Sequence, residues 1–147
     1  MLSEWLDETN VKIINRVTDW QQAVAISLQP MFDNNIVELR YLPAILSNCQ
    51  QFGPYFVLGE GIAMPHARPE QGVLKKGLSL LIIRQGVAFN SPENDPVYLV
   101  FSLAATDGHS HIAMIAALSA LFSQDQDITR LKQVATIDQA LSIIGQY

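Results

Sequence analysis

Cysteine is almost missing from the chain, and the one present, Cys49, has no partner with which to close an internal disulfide. Its place in an apolar helical pattern reads as a small core side chain rather than a reactive thiol. Charge is also scarce. Only 16% of the 147 residues are charged and 49% are hydrophobic, which favours a packed chain over a disordered one. No apolar run reaches the ~18 residues that a membrane-spanning helix requires, so direct membrane insertion is not expected. Residues Met1–Asp7 are acidic where a signal peptide would be basic, which points to the cytoplasm. With a net charge of −5 and a pI near 5.0, the chain would repel nucleic-acid phosphates, and no nucleic-acid partner is expected. Gly-x-Ser-x-Gly, Gly-x-x-x-x-Gly-Lys-Ser/Thr, Cys-x-x-Cys and His-Glu-x-x-His are all missing. A serine nucleophile, autonomous ATP use and a metal centre are therefore disfavoured, and neither cofactor nor metal is expected. Any phosphate chemistry must draw on a ready-made donor.

What is present centres on residues 59–70, Gly-Glu-Gly-Ile-Ala-Met-Pro-His-Ala-Arg-Pro-Glu. Pro65 fixes its own φ and biases Met64 away from the helical region, and Pro69 does the same to Arg68. His66 and Arg68 are thus expected in a constrained loop, with Gly59 and Gly61 leaving room for a close approach. A neutral imidazole can act as a base, bind a metal or attack an electrophile such as phosphorus. A loop histidine satisfied by backbone hydrogen bonds fits the same residues. Residues 61–90 carry a net +3 from Arg68, Lys75, Lys76, Arg84 and Glu70, which leaves −8 for the rest. Such a stretch beside His66 would attract an anion, although solvated lysines at a turn explain it nearly as well.

The hydrophobic pattern predicts one α/β domain, with an apolar sheet covered by helices on both sides. Strands are expected at Val11–Asn15, Leu78–Arg84 and Val97–Ala104, with Tyr55–Leu58 leading into the histidine loop and Gly86–Phe89 adding a short neighbour. Helices are expected from a Thr18 or Asp19 cap to a close at Pro30 and the turn-like Asp33-Asn34-Asn35, from about Glu38 to Gln50, from Ile112 to Phe122, and over about Asp125–Val134 and Thr136–Gln146. The connector 106–111 would put His109 and His111 at a helix N-terminus, where free N–H groups and the helix dipole favour anions.

Gly-Glu-Gly-Ile-Ala-Met-Pro-His66, followed 45 residues later by His111-Ile112 opening an apolar helix, resembles the mannitol–fructose class of enzyme IIA domains. These belong to the bacterial phosphoenolpyruvate-dependent sugar phosphotransferase system. The likeness runs over residues 1–147, and residues 53–58 and 64–70 look most like the ascorbate branch, with a cryptic mannitol-type relative close behind. The resemblance implies a mixed sheet sandwiched between helices in a single domain. It implies that His66 accepts a phosphoryl group from the histidine phosphocarrier protein and passes it to a cysteine of the cognate enzyme IIB, with no sugar bound. His111 matches the family's second histidine. Mannitol-type members carry an arginine where this chain has Gln50, and Arg68 is the candidate to supply that charge. A regulatory protein of the same family, which senses phosphorylation and binds a protein target, is the alternative.

Overall fold

Along the longest apolar stretch, Leu78, Leu80 and Ile82 enter one core while Leu81 and Ile83 enter another. That alternation is what a strand buried on both faces must show. In the computed structural model, which describes residues 1–107, 109 and 111–147, five strands follow in chain order: β1 (Val11–Ile14), β2 (Val57–Gly59), β3 (Ile62–Ala63), β4 (Gly77–Val87) and β5 (Val97–Ala104). They form one sheet in the order β1-β4-β5-β3-β2. β1 pairs parallel to β4, and β3 parallel to β5, while β4–β5 and β2–β3 are antiparallel.

The helices are α1 (Trp20–Asp33), α2 (Tyr41–Phe52), α3 (Ile112–Phe122), α4 (Asp125–Lys132) and α5 (Ile137–Ile144). α1 and α2 cover one face of the sheet, and α3, α4 and α5 the other, where Leu2 and Leu6 join them. The expected single-domain α/β sandwich with a mixed sheet is what the chain adopts. α1 lies close to the sheet because the contact is small and polar. The Ser79 hydroxyl donates to the Ser27 carbonyl at 2.5 Å, and the Ser27 and Ser102 hydroxyls share a 2.8 Å bond. Cys49 is buried in the same core, as expected.

α1 passes through Pro30 and closes at the Asp33-Asn34-Asn35 turn, as expected. There Asn34 N–H donates to the Pro30 carbonyl at 3.1 Å. α2 starts at Tyr41 rather than Glu38, since Val37 bridges to Val73 and the Glu38 N–H is taken by the Gly72 carbonyl. Residues 86–87 close β4 instead of forming a separate neighbour. Gly86 has φ +68°, and a side chain there would meet Pro96 and Tyr98 at 3.0 Å. A further difference is β3, a two-residue strand inside what reads as loop.

Gly61 belongs to that strand's geometry and not to partner access. Its φ is +78°, its carbonyl accepts from the N–H groups of Tyr98 and Leu99, and an added Cβ would lie 2.7 Å from Lys132 Nζ.

Candidate functional site

β3 and β5 are adjacent and parallel, so their carboxyl ends open on the same edge of the sheet. His66 lies three residues beyond β3, and the connector to α3 leaves the end of β5. This is where open α/β sheets place ligands. The chain carries both histidines there by topology alone. His66 and His111 line a common cavity of about 720 Å³. α2 supplies Asn48, Gln51 and Phe52 to its wall, and Arg68 and Asp107 complete the polar lining.

The His66 ring is half-buried, and its Nδ1 lies 2.7 Å from the Met64 carbonyl oxygen. A carbonyl can only accept, so Nδ1 carries the proton and the neutral ring keeps its lone pair on Nε2. Pro65 makes this contact cheap, because a chain already held out of the helical region brings the carbonyl of one residue beneath the ring two residues on. The backbone around the ring is tied on several sides. The Pro65 carbonyl accepts from Leu103 N–H at 3.0 Å, and the His66 carbonyl accepts from the Tyr55 hydroxyl. The Ala67 N–H donates to the Tyr41 hydroxyl at 3.0 Å. Arg68 N–H donates to Gln71 Oε1 at 2.9 Å, and the same oxygen accepts from Asn48 at 3.0 Å.

His111 is the N-cap residue of α3 and makes no side-chain cap there. Its Nδ1 instead lies 3.1 Å from the Asp107 carbonyl, so it too donates from Nδ1 and presents Nε2. The His109 N–H donates to Asp107 Oδ1 at 2.7 Å, while its exposed side chain takes no part in the described lining. Of the expected connector, Gly108 and Ser110 lie outside the described residues.

The positive stretch of residues 61–90 is not gathered at the site. Lys76 Nζ sits 5.5 Å over the Trp5 ring, and Arg84 donates to the Ala135 carbonyl, so Arg68 is the lysine or arginine that reaches the described lining. Its Nε pairs with Glu70 Oε1 at 3.4 Å, with both side chains about two-thirds or more exposed at 72% and 67%. Such a pair contributes roughly 0–1 kcal/mol, little enough for an anion to displace. Gln50 is exposed and outside the wall. Asn48, Gln51 and Phe52 share a helix face at i, i+3 and i+4, and Gln50 falls about 100° away from Gln51. The polar side chains that α2 brings to the cavity are therefore Asn48 and Gln51, and Gln50 is not among them.

Two residues at the site had no signal in the sequence reading, Tyr41 and Tyr55. Tyr41 is fully buried, its hydroxyl donates to the Leu103 carbonyl at 2.7 Å, and burial pushes its pKa up to about 12. The Tyr55 ring meets the His66 ring edge-on, with centroids 5.4 Å apart, and burial raises its phenol as well. The available clue was general. A tyrosine on an apolar helix stripe must find a partner for its hydroxyl.

The site thus joins a ring proton held at Nδ1, a lone pair on Nε2 and a cavity lined by both histidines. The family model "Phosphoenolpyruvate-dependent sugar phosphotransferase system, EIIA 2" matches residues 4–147, and the chain belongs to that family. Members are phosphotransferase-system proteins that carry a phosphoryl group. The chain is similar to the ascorbate-specific EIIA component of Salmonella choleraesuis strain SC-B67, at 38% identity over 147 residues, covering 99% of this chain and 96% of the relative. It is similar to the solution structure of the mannitol-specific cryptic phosphotransferase enzyme IIA of Escherichia coli, at 39% identity and a TM-score of 0.90, covering 99% of each chain. A complex of enzyme IIA-Mtl with phosphorylated enzyme IIB-Mtl from Escherichia coli matches at 27% identity and a TM-score of 0.83, over 97% of this chain and 98% of that one. Among the described residues no helix is long and apolar enough to cross a membrane.

Proposed function

We propose that Nε2 of His66 is the phosphoryl acceptor, loaded by the histidine phosphocarrier protein and discharged to a cysteine of the cognate enzyme IIB. The Nε2 lone pair attacks phosphorus in line as the donor's P–N bond breaks, and that bond pair returns to the donor ring. With Nδ1 still protonated, the phosphorylated imidazole carries positive charge, and the Met64 carbonyl 2.7 Å away stabilises it. Discharge reverses the geometry: the acceptor sulfur attacks, and the P–Nε2 bond pair returns to His66. Transfer of this kind needs positioning and positive charge around the phosphoryl oxygens more than covalent help. Arg68 supplies one charge from the lining, and His111 donates from Nε2 when protonated.

Relatives specific for ascorbate and for mannitol frame the substrate proposal. The chain serves uptake of L-ascorbate or of a mannitol-type sugar, works in the cytoplasm, and never binds the sugar itself. The observation that carries the reading is the His66 Nδ1 bond to Met64, which dedicates the other ring nitrogen to chemistry at the cavity. To test it, the protein is loaded from labelled histidine phosphocarrier protein and then mixed with candidate enzyme IIB proteins. The label is expected on His66 and then on enzyme IIB. A label that His66→Ala still accepts refutes the assignment, and a label on His66 that no enzyme IIB accepts favours the regulatory alternative.

A further inference from the structure

The register that pairs Ile62 with Leu99 and Ala63 with Val100 sets His66 opposite Leu103 if it is continued. Part of that continuation exists. In a parallel ladder a residue opposite His66 donates its N–H to the carbonyl before it and accepts at its own carbonyl from the N–H after it. Leu103 N–H does donate to the Pro65 carbonyl, at 3.0 Å. The second rung should run from Ala67 N–H to the Leu103 carbonyl. Instead the Tyr41 hydroxyl stands between them, accepting from Ala67 N–H at 3.0 Å and donating to the Leu103 carbonyl at 2.7 Å.

We infer that the Tyr41 hydroxyl is an inserted rung of the β3–β5 ladder, which lifts the chain at His66 off the strand by one oxygen and makes Tyr41 a positioning residue for His66 Nε2. The chemistry of the intervening residues requires some such device. Pro65 has no N–H, so the ladder already loses a rung there, and the segment beyond it needs another anchor. A direct Ala67–Leu103 bond would draw the chain flat against β5. The phenol keeps both backbone groups satisfied at greater separation, because one hydroxyl both accepts and donates. Its single proton goes to Leu103, since the alternative acceptor, the Ala67 carbonyl, is 3.4 Å away. Burial holds that proton in place well above neutral pH. Tyr41 is the first residue of α2, so the same bond ties the helix bearing Asn48, Gln51 and Phe52 to the reactive loop.

The inference rests on His66 being the phosphoryl acceptor, and the test separates the two. Tyr41→Phe is compared with the unaltered protein and with Ile45→Val, a change in the same helix that loses core packing without touching the relay. The readouts are the ¹⁵N signature of the His66 imidazole and the phosphorylation rate from phosphorylated histidine phosphocarrier protein. Tyr41→Phe is expected to lower the rate at saturating donor about tenfold or more, with KM within about twofold, and to disturb the Nδ1–H signature. Ile45→Val is expected to lose stability while keeping both. Tyr41→Phe with an unchanged rate and imidazole signature would overturn the inference. In the unaltered protein the Ala67 amide is expected to exchange slowly with solvent. Exchange at the rate of an open loop would overturn the relay, and this decides the matter if Tyr41→Phe fails to fold. An unaltered protein that takes no phosphoryl group on His66 would refute the acceptor reading, while the imidazole signature and the Ala67 amide would still judge the relay.

Discussion

Tyr55 and His66 are joined twice: the Tyr55 hydroxyl donates to the His66 carbonyl, and the two rings meet edge-on at an interplanar angle of 81°. The hydroxyl restrains the backbone and the ring edge restrains the imidazole, so the two contributions separate by substitution. Tyr55→Phe removes only the hydrogen bond, worth about 1 kcal/mol, and should slow transfer to enzyme IIB roughly fivefold. Tyr55→Leu removes both and should slow it further. Single-turnover transfer measures this, and equal rates for the two variants would show that the ring contact does nothing.

His111 spends its Nδ1 proton on the Asp107 carbonyl, so it offers a donor to phosphate only as the imidazolium, from Nε2. His111→Ala should therefore cut transfer by about a hundredfold or more, the usual cost of a lost oxyanion donor. His111→Gln keeps a donor without the charge and should fall between. His109→Ala should leave the rate nearly unchanged. Equal losses at positions 109 and 111 would break the pairing of His111 with His66.

Arg68 is held by an exposed pair with Glu70 in the resting protein. At saturating partner, Arg68→Gln should lower the transfer rate about a hundredfold, whereas Glu70→Ala should change it by no more than about fivefold, in keeping with a pair worth roughly 0–1 kcal/mol. A loss in Arg68→Gln that appears only in partner affinity would place the guanidinium in docking.

Much of this was legible in the pattern of apolar residues. The near-continuous apolar runs at residues 78–83 and 97–104 announce strands with two covered faces, and Asp19 and Thr136 cap helices where a capping residue precedes an apolar stripe. β3 was not legible, since two residues cannot display a period and their partner is non-local. The placement of Arg84 and Lys76 away from His66 was hidden for the same reason. Arg84 is carried to the other end of β4 from the Gly77–Ala104 pair, and Lys76 turns to the Trp5 ring. Asn48 and Gln51 escaped notice because a gap of sixteen residues counted back from His66 measures sequence and not helix phase.

Tyr41 links the site to alkaline stability. Its pKa stands at about 12 when folded against 10.0 ordinarily, so the unfolded chain loses that proton first. The stabilisation is complete below pH 10 and declines as the pH rises from 10 to 12, by about 3 kcal/mol in all. Urea unfolding of the unaltered protein should lose about 1.4 kcal/mol more than Tyr41→Phe between pH 8 and pH 11. Parallel curves for the two proteins would show that the phenol is not protected.

The phosphoryl group is expected on Nε2 of His66, with Nδ1 keeping its proton on the Met64 carbonyl. Phosphorus and ¹⁵N NMR of the protein loaded by the histidine phosphocarrier protein reads both nitrogens at once. The expected spectrum shows a single phosphohistidine with the P–N bond at Nε2, an Nδ1 that is still protonated, and loss of the phosphorus signal when the cognate enzyme IIB is added. A phosphoryl group on Nδ1 of His66, or on any other residue, would rule out His66 Nε2 as the acceptor.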